Sequence, residues 1–195
     1  AEDGIRDVER SRGLGDVYKR QRLFFVEDVL APEDLEWFAT IRSQCATPLA
    51  MGELFCHPGE IVPLVSRRLI DFIRVHPSAI GGVTPCLKLA HLGELFGLRT
   101  AWHGPLDVSP VGMAANVHMD VCLHNFGIQE WALRGELEQE MFPGTPQIKG
   151  GYVYPNDRPG LGIDLDEDLA GKHPCKDRVP GWTVARFPDG TIGRP

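Results

Sequence analysis

A repeating unit, a short apolar stretch followed by a helical stretch, constrains the fold of this sequence most. Five candidate strands begin about every 25 residues, each followed by a helical stretch. They lie in LFFVE, TPLAMGE, DFIRVH, LRTAWHG and FGIQEW. Such alternation is typical of an α/β fold with a parallel sheet and right-handed crossovers. Five consecutive units favour part of a (β/α)8 barrel, and a five-stranded doubly wound sheet is the alternative.

Helix-starting residues support the same pattern. Pro32 sits at a first helical position, with acidic residues in the following turn, where the helix dipole favours them. Thr84 precedes a proline and is a plausible cap, and Ser109 also precedes a proline. We therefore predict helices from Thr84 to a stop at Gly97 and from Ser109 to about Cys122.

The first 21 residues differ from the rest of the chain. They carry five acidic and five basic residues and no apolar periodicity. Read as codons, they match in frame the translation of common sequencing-library adaptor DNA, so we expect residues 1–21 to be a disordered artefact. We expect residues 22–139 to form a partial barrel with the site. The Pro- and Gly-rich residues 140–195 are expected to pack on the barrel or a capping region, with a short helix at 166–171.

Composition excludes several classes of function. The net charge is -7, and no Lys/Arg run provides a surface for nucleic acid. No apolar stretch is long enough to span a bilayer, and no Gly-rich phosphate loop follows a strand. The five cysteines show no CxxC pairing, which predicts reduced thiols and a cytoplasmic location.

Charged and imidazole side chains stand where the candidate strands end. The carboxyl ends of barrel strands build the active site in this architecture. The residues at these positions are Glu27, Glu53, Arg74, His103 with Asp107, and Glu130. Glu27 and Glu53 close adjacent strands, so their carboxylates are expected to converge. Two close carboxylates require a cation to stay ionised, and oxygen ligands suit Mg²⁺.

Each of these residues also has a structural interpretation. A strand-end glutamate is alternatively a solvated rim residue, and Arg74 alternatively forms an ion pair with Glu53. His103 is alternatively a hydrogen-bonded core histidine, and Asp107 a turn cap before the following helix. Glu130 is alternatively a partner in a salt bridge across the barrel mouth. The sequence alone leaves these alternatives open.

Several blocks of the chain resemble one known family. The blocks are LFFVEDVLAPEDLEWFATIRSQCATPLAMGELF, RLIDFIRVH, RTAWHGPLDVSPVG, NFGIQEW and PGLGIDLDEDLAGKHP. They resemble the mannonate/gluconate (acid-sugar) dehydratase group of the enolase superfamily, which includes starvation-sensing and galactonate dehydratase family members. The resemblance covers 22–195 and implies a C-terminal fragment of a TIM-like barrel enzyme.

The resemblance implies roles for the strand-end residues. Glu27 and Glu53, 26 positions apart, correspond to the second and third Mg²⁺ ligands of that group. The positions that correspond to substrate contacts are Arg74, His103, Asp107 and Glu130. The implied reaction removes the proton α to a sugar-acid carboxylate and expels water, giving a 2-keto-3-deoxy sugar acid.

The resemblance also implies that essential groups lie outside this chain. The acid/base His, in an Asp-x-His motif with the first metal ligand, and a catalytic Tyr are expected upstream of Glu27. We therefore expect no catalytic acid or base within the chain, weak metal binding by two carboxylates, and an inactive, poorly folded fragment.

Two further expectations concern the intact parent protein. Pro105 lies beside His103, where members with strong mannonate activity tend to have a smaller residue, which favours weak activity or a gluconate-type substrate. The parent is expected to form a homo-oligomer. The alternative function is that of a non-catalytic or substrate-divergent relative with a regulatory, starvation-sensing role.

Overall fold

Parallel strands in sequence order form the centre of the molecule. A computed structural model describes residues 22–174 and residue 189, so the proposed adaptor segment lies outside the described residues. The strands are β1 (Val26–Glu27), β2 (Leu49–Met51), β3 (Phe72–Ile73) and β4 (Arg99–Thr100). Neighbours pair in parallel in the order β1-β2-β3-β4, and a parallel bridge from Thr100 to Phe126 adds a fifth position. This arrangement confirms the predicted α/β fold.

Helices follow the strands as predicted. Their bounds are Phe38–Gln44 (α1, after a 3-10 helix at Pro32–Trp37), Pro58–Ser66 (α2), Val83–Leu95 (α3) and Pro110–Cys122 (α4). Ser109 caps α4, since its hydroxyl accepts the Gly112 N–H at 3.1 Å. The predicted start of α3 at Thr84 is wrong. Gly82 is the N-cap with a φ of 95°, which a glycine adopts without strain, and Thr84 lies in the first turn.

The sheet buries a different cluster on each face. Leu49 and Met51 join a large cluster with the helices, in which Phe38 and Trp102 are fully buried. Ala50 points to the opposite face with Phe72 and Ala101. This alternation follows from the two-residue period of a strand. The larger apolar cluster fixes the helices against the sheet and so fixes the strand ends in space.

The chain after the fifth strand position adds short elements. These are α5 (Glu136–Met141), an antiparallel hairpin of β5 (Gln147–Lys149) and β6 (Tyr152–Tyr154), and α6 (Glu167–Lys172). The α6 helix confirms the short helix expected near 166–171, with the Asp166 carboxylate accepting the Leu169 N–H at 2.8 Å. The α5 helix spans the expected boundary between 139 and 140. Within the described part of the chain, the helices are too short and too polar to cross a bilayer.

Close packing at Gly127 gives a first prediction. A Cβ there would lie 2.7 Å from the Thr100 carbonyl oxygen and 2.7 Å from Phe72 Cε1. We expect Gly127→Ala to lower the free energy of unfolding by about 1–3 kcal/mol, because backbone must move to admit the methyl group. Gly171→Ala is the control, since nothing lies within 4 Å of its added Cβ and alanine favours helix. Equal urea midpoints for the two variants would contradict the close packing at Gly127.

The carboxyl group of Asp120 in α4 is buried against Trp102. Burial raises the pKa of Asp120 to about 8, and the Trp102 N–H acts in the opposite direction. Asp120 Oδ1 and Trp102 Nε1 have no well-aligned hydrogen-bond partner among residues 22–174. The folded protein therefore favours the protonated carboxyl.

This burial predicts a pH dependence of stability. The pKa of Asp120 is higher in the folded than in the unfolded chain, so its stabilisation is complete below the unfolded value of about 3.9 and is lost as the pH rises through about 8. Urea unfolding at about pH 5 and about pH 9 measures this difference. Asp120→Asn is expected to reduce the loss of unfolding free energy between these two pH values. A variant with the same pH dependence as the wild type would show that Asp120 does not cause that loss.

Candidate metal centre at the carboxyl ends of the strands

The residues predicted from strand ends gather at one edge of the sheet. Glu27 is the last residue of β1, Glu53 follows β2 after Gly52, and Arg74 directly follows β3. His103 comes shortly after β4, and Glu130 after the fifth strand position. Because all the strands are parallel, their carboxyl ends lie at the same edge. The structure therefore brings five of the six predicted residues together.

Arg74 is the buried cation of this edge. Its side chain is 7% exposed, its Nε donates to Glu27, and its Nη2 donates to Glu130 Oε2 at 2.7 Å. Burial disfavours the charge, but the hydrogen bonds and charges of Glu130 and Glu27 outweigh it and raise the pKa of the guanidinium. The alternative pairing of Arg74 with Glu53 is not observed. One arginine thus joins residues from three strand ends.

His103 and Glu130 extend the network. His103 Nε2 lies 3.1 Å from Glu53 Oε2 and 3.8 Å from Glu130 Oε2. Burial of Glu130 is outweighed by the Gly104 N–H, Arg74 and His103, so the pKa of this carboxylate is lowered. The Gly104 N–H donates to Glu130 Oε2 at 2.8 Å. The salt-bridge alternative for Glu130 is therefore observed, and it leaves the carboxylate charged at the site.

Three carboxylates form a cluster that could hold a cation. One oxygen each from Glu27, Asp28 and Glu53 lies within 4.8 Å of the others. Burial and the charges of Glu53 and Glu27 raise the pKa of Asp28 to about 6. Carboxylate oxygens are the donors that Mg²⁺ and Ca²⁺ prefer, and opposite ligands on such ions lie about 4–5 Å apart. The donor set and spacing fit a hard divalent cation.

An open cavity adjoins this cluster. It has a volume of about 880 Å³, and its lining includes the acidic residues Asp28, Glu33, Glu53 and Glu60. A second cavity of about 490 Å³ lies between α4, the stretch 126–129 and the hairpin. It is lined mainly by apolar residues and includes none of the clustered carboxylates. The acidic cavity is therefore the one suited to a cation and its ligand.

The structure leaves one predicted residue apart and adds another. Asp107 is exposed, and among the described residues it has no ion pair or hydrogen bond. Burial and the neighbouring His103 lower the pKa of His76, and the charge of Asp107 offsets only part of that lowering. Asp28 was missed by the sequence reasoning, although its position directly after a strand-end glutamate is a usable signal. His57 is structural, since its Nδ1 accepts the Gly59 N–H at 3.0 Å in a capping box with Glu60.

Comparison with known proteins identifies relatives across most of the chain. The sequence profile of the enolase C-terminal domain-like family matches residues 5–169. A D-galactonate dehydratase family member of Salmonella virchow is 52% identical over 182 residues, 93% of this chain and 44% of the relative. A member from Pantoea ananatis is 53% identical over 174 residues, 89% of this chain and 42% of the relative. The chain thus spans less than half the length of these relatives.

Solved structures show the same architecture. A crystal structure of an enolase from Pantoea ananatis with bound D-gluconate and Mg superposes with a TM-score of 0.84 at 53% identity. The match covers 89% of this chain and 42% of that one. A mandelate racemase/muconate lactonizing enzyme-like protein from Rubrobacter xylanophilus gives a TM-score of 0.71 at 30% identity, over 81% of this chain and 40% of that one.

The two ion pairs of Arg74 predict that its replacement by lysine destabilises the protein. Lysine offers one compact ammonium, which cannot hold Glu27 and Glu130 together as a guanidinium does. We expect Arg74→Lys to lower the free energy of unfolding by about 1–3 kcal/mol. This is less than the about 3–5 kcal/mol for breaking a fully buried pair, because the glutamates are partly exposed. The control is Arg158→Lys at an exposed loop position. Equal stability of the two variants by urea unfolding would contradict this role.

Proposed function

This chain belongs to the enolase C-terminal domain-like family, and on that premise we propose that it is part of a Mg²⁺-dependent acid-sugar dehydratase. The observation that carries the proposal is the convergence of Glu27 and Glu53 at the carboxyl end of a parallel sheet. The relative from Pantoea ananatis with bound D-gluconate and Mg supports it. The reaction gives a 2-keto-3-deoxy sugar acid by removal of the proton α to a carboxylate and loss of water.

Glu27 and Glu53 would hold the Mg²⁺ in this proposal. The bound cation supplies charge stabilisation to the substrate carboxylate as its α-proton leaves. His103 keeps Glu53 in place through its Nε2, and Arg74 keeps Glu27 in place through its Nε. Both contacts hold the carboxylates ready before a ligand arrives, so little reorganisation is needed on binding.

The substrate contacts are assigned to Arg74, His103, Asp107 and Glu130. Arg74 and His103 donate hydrogen bonds to hydroxyl or carboxylate oxygens of a sugar acid, and Glu130 accepts them from hydroxyl groups. Asp107, which is exposed, contacts the ligand only if the loop that carries it closes over the site. The acid and base that move the protons belong to the remainder of the parent protein.

A gluconate-type acid is the proposed substrate class. By the resemblance, Pro105 beside His103 favours weak activity or a gluconate-type substrate over mannonate, and the structure of the relative from Pantoea ananatis holds D-gluconate. We further propose that the parent is a cytoplasmic homo-oligomer without a nucleic-acid or membrane partner. This chain by itself is proposed to be inactive, because the resemblance assigns the acid/base His and the catalytic Tyr to positions upstream of Glu27.

Assay of the complete gene product with D-gluconate, D-mannonate and Mg²⁺ tests the proposal. We expect turnover of D-gluconate by the complete protein and none by this chain. Glu53→Gln is expected to lower kcat at least a hundredfold because a metal ligand is lost, whereas Glu140→Gln at an exposed position leaves it unchanged. Metal binding without turnover of either acid would favour the regulatory function instead.

A further inference from the structure

A second arginine contacts the loop that carries Asp107. This loop, residues 105–108, lies between β4 and the start of α4 and is called the Asp107 loop here. The side chain of Arg134, which follows the fifth strand position, is only 5% exposed. Its Nη1 donates to the Leu106 carbonyl at 2.8 Å, and its Nη2 donates to the Val108 carbonyl. One guanidinium therefore holds the backbone of both residues that flank Asp107.

The charge of Arg134 is balanced by a residue outside the loop. Its Nη1 also donates to Glu138 Oε1 at 2.7 Å, and Glu138 lies in α5. This counter-charge makes the low exposure of the guanidinium tolerable. A guanidinium carries five N–H donors in one plane, so it can hold several acceptors in fixed directions, which a lysine ammonium cannot do. The ion pair compensates the charge, and the bonds to carbonyl groups act on the loop.

The beginning of the loop is held by the same stretch of chain. The Gly104 N–H donates to Glu130 Oε2 at 2.8 Å, just before the Asp107 loop begins. Within the loop, the Val108 N–H donates to the Pro105 carbonyl at 3.1 Å and closes a turn. The stretch that follows the fifth strand position therefore contacts both ends of the segment that carries Asp107.

Resting on the proposed function, in which Asp107 contacts the sugar acid, we propose that Arg134 is a positioning residue for the Asp107 loop. It acts through the loop backbone and not on the ligand, so that Asp107 approaches the ligand as part of a rigid turn. A loop that becomes ordered only on binding lowers affinity, so loss of these contacts raises KM more than it lowers kcat. The alternative is that Arg134 only anchors α5 through Glu138.

Hydrogen exchange of the Val108 amide, followed by NMR in the complete gene product, tests the contact without a ligand. This N–H is bonded inside the loop, so its protection reports the order of the loop. We expect exchange at least about tenfold faster in Arg134→Lys than in wild type, because hydrogen bonds from a charged donor are lost. Arg158→Lys, at an exposed loop position, is expected to match wild type. Equal exchange in all three proteins would overturn the proposal.

Glu138→Gln separates the loop contacts from the ion pair with α5. It removes the counter-charge and keeps every N–H of Arg134. We expect its Val108 amide to exchange within about twofold of the wild-type rate, because a partly exposed ion pair contributes little. An increase as large as that in Arg134→Lys would assign Arg134 to α5 alone and overturn its role in the loop.

A double-mutant cycle with Asp107→Ala tests whether Arg134 acts through Asp107. With D-gluconate and the complete gene product, we expect Arg134→Lys to raise KM about tenfold and to change kcat less than about threefold. In an Asp107→Ala background, the same substitution is expected to change KM less than about twofold, because the positioned contact is already lost. An equal factor in both backgrounds would overturn the proposal. If wild type does not turn over D-gluconate, the proposed function fails, and the exchange rates still decide whether Arg134 holds the loop.

Discussion

A single buried guanidinium organises the functional edge of this molecule. Arg74, with 7% of its side chain exposed, pairs with Glu27 and Glu130, which come from opposite sides of β3. A buried arginine is stable only when its charge is compensated, so its position requires both carboxylates to stay there. The ion pairs thereby hold the side chains of Glu27 and Glu130 in place at strand ends that the apolar cluster positions. Among the described residues, this network contains more carboxylates than positively charged side chains.

The excess of negative charge at this edge of the sheet favours a bound cation. Four carboxylates, those of Glu27, Asp28, Glu53 and Glu130, face Arg74 and His103. Even with a protonated imidazole, the negative charges outnumber the positive ones by two. A divalent cation held by Glu27 and Glu53, as proposed above, would balance these two charges. Burial and the neighbouring charges of Glu53 and Glu27 raise the pKa of Asp28, whereas the Gly104 N–H and Arg74 outweigh burial and lower the pKa of Glu130.

The sequence predicts the fold well wherever the strand–helix unit repeats. The period of strand and helix predicted the parallel sheet, and the Ser109–Pro110 pair predicted the start of α4. Thr84 failed as a helix start because the backbone at Gly82 settled that boundary. Asp28 was missed because its place in the cluster depends on a left-handed turn and on Glu53, a carboxylate distant in sequence. The roles assigned to Asp107 and to the other substrate contacts stay predictions.

The most direct measurement is anomalous diffraction from crystals of the complete gene product grown with Mn²⁺. The account predicts an anomalous peak bounded by carboxylate oxygens of Glu27 and Glu53, with Arg74 still paired to Glu130. A peak elsewhere in the molecule, with these carboxylates unliganded, would contradict the metal centre altogether.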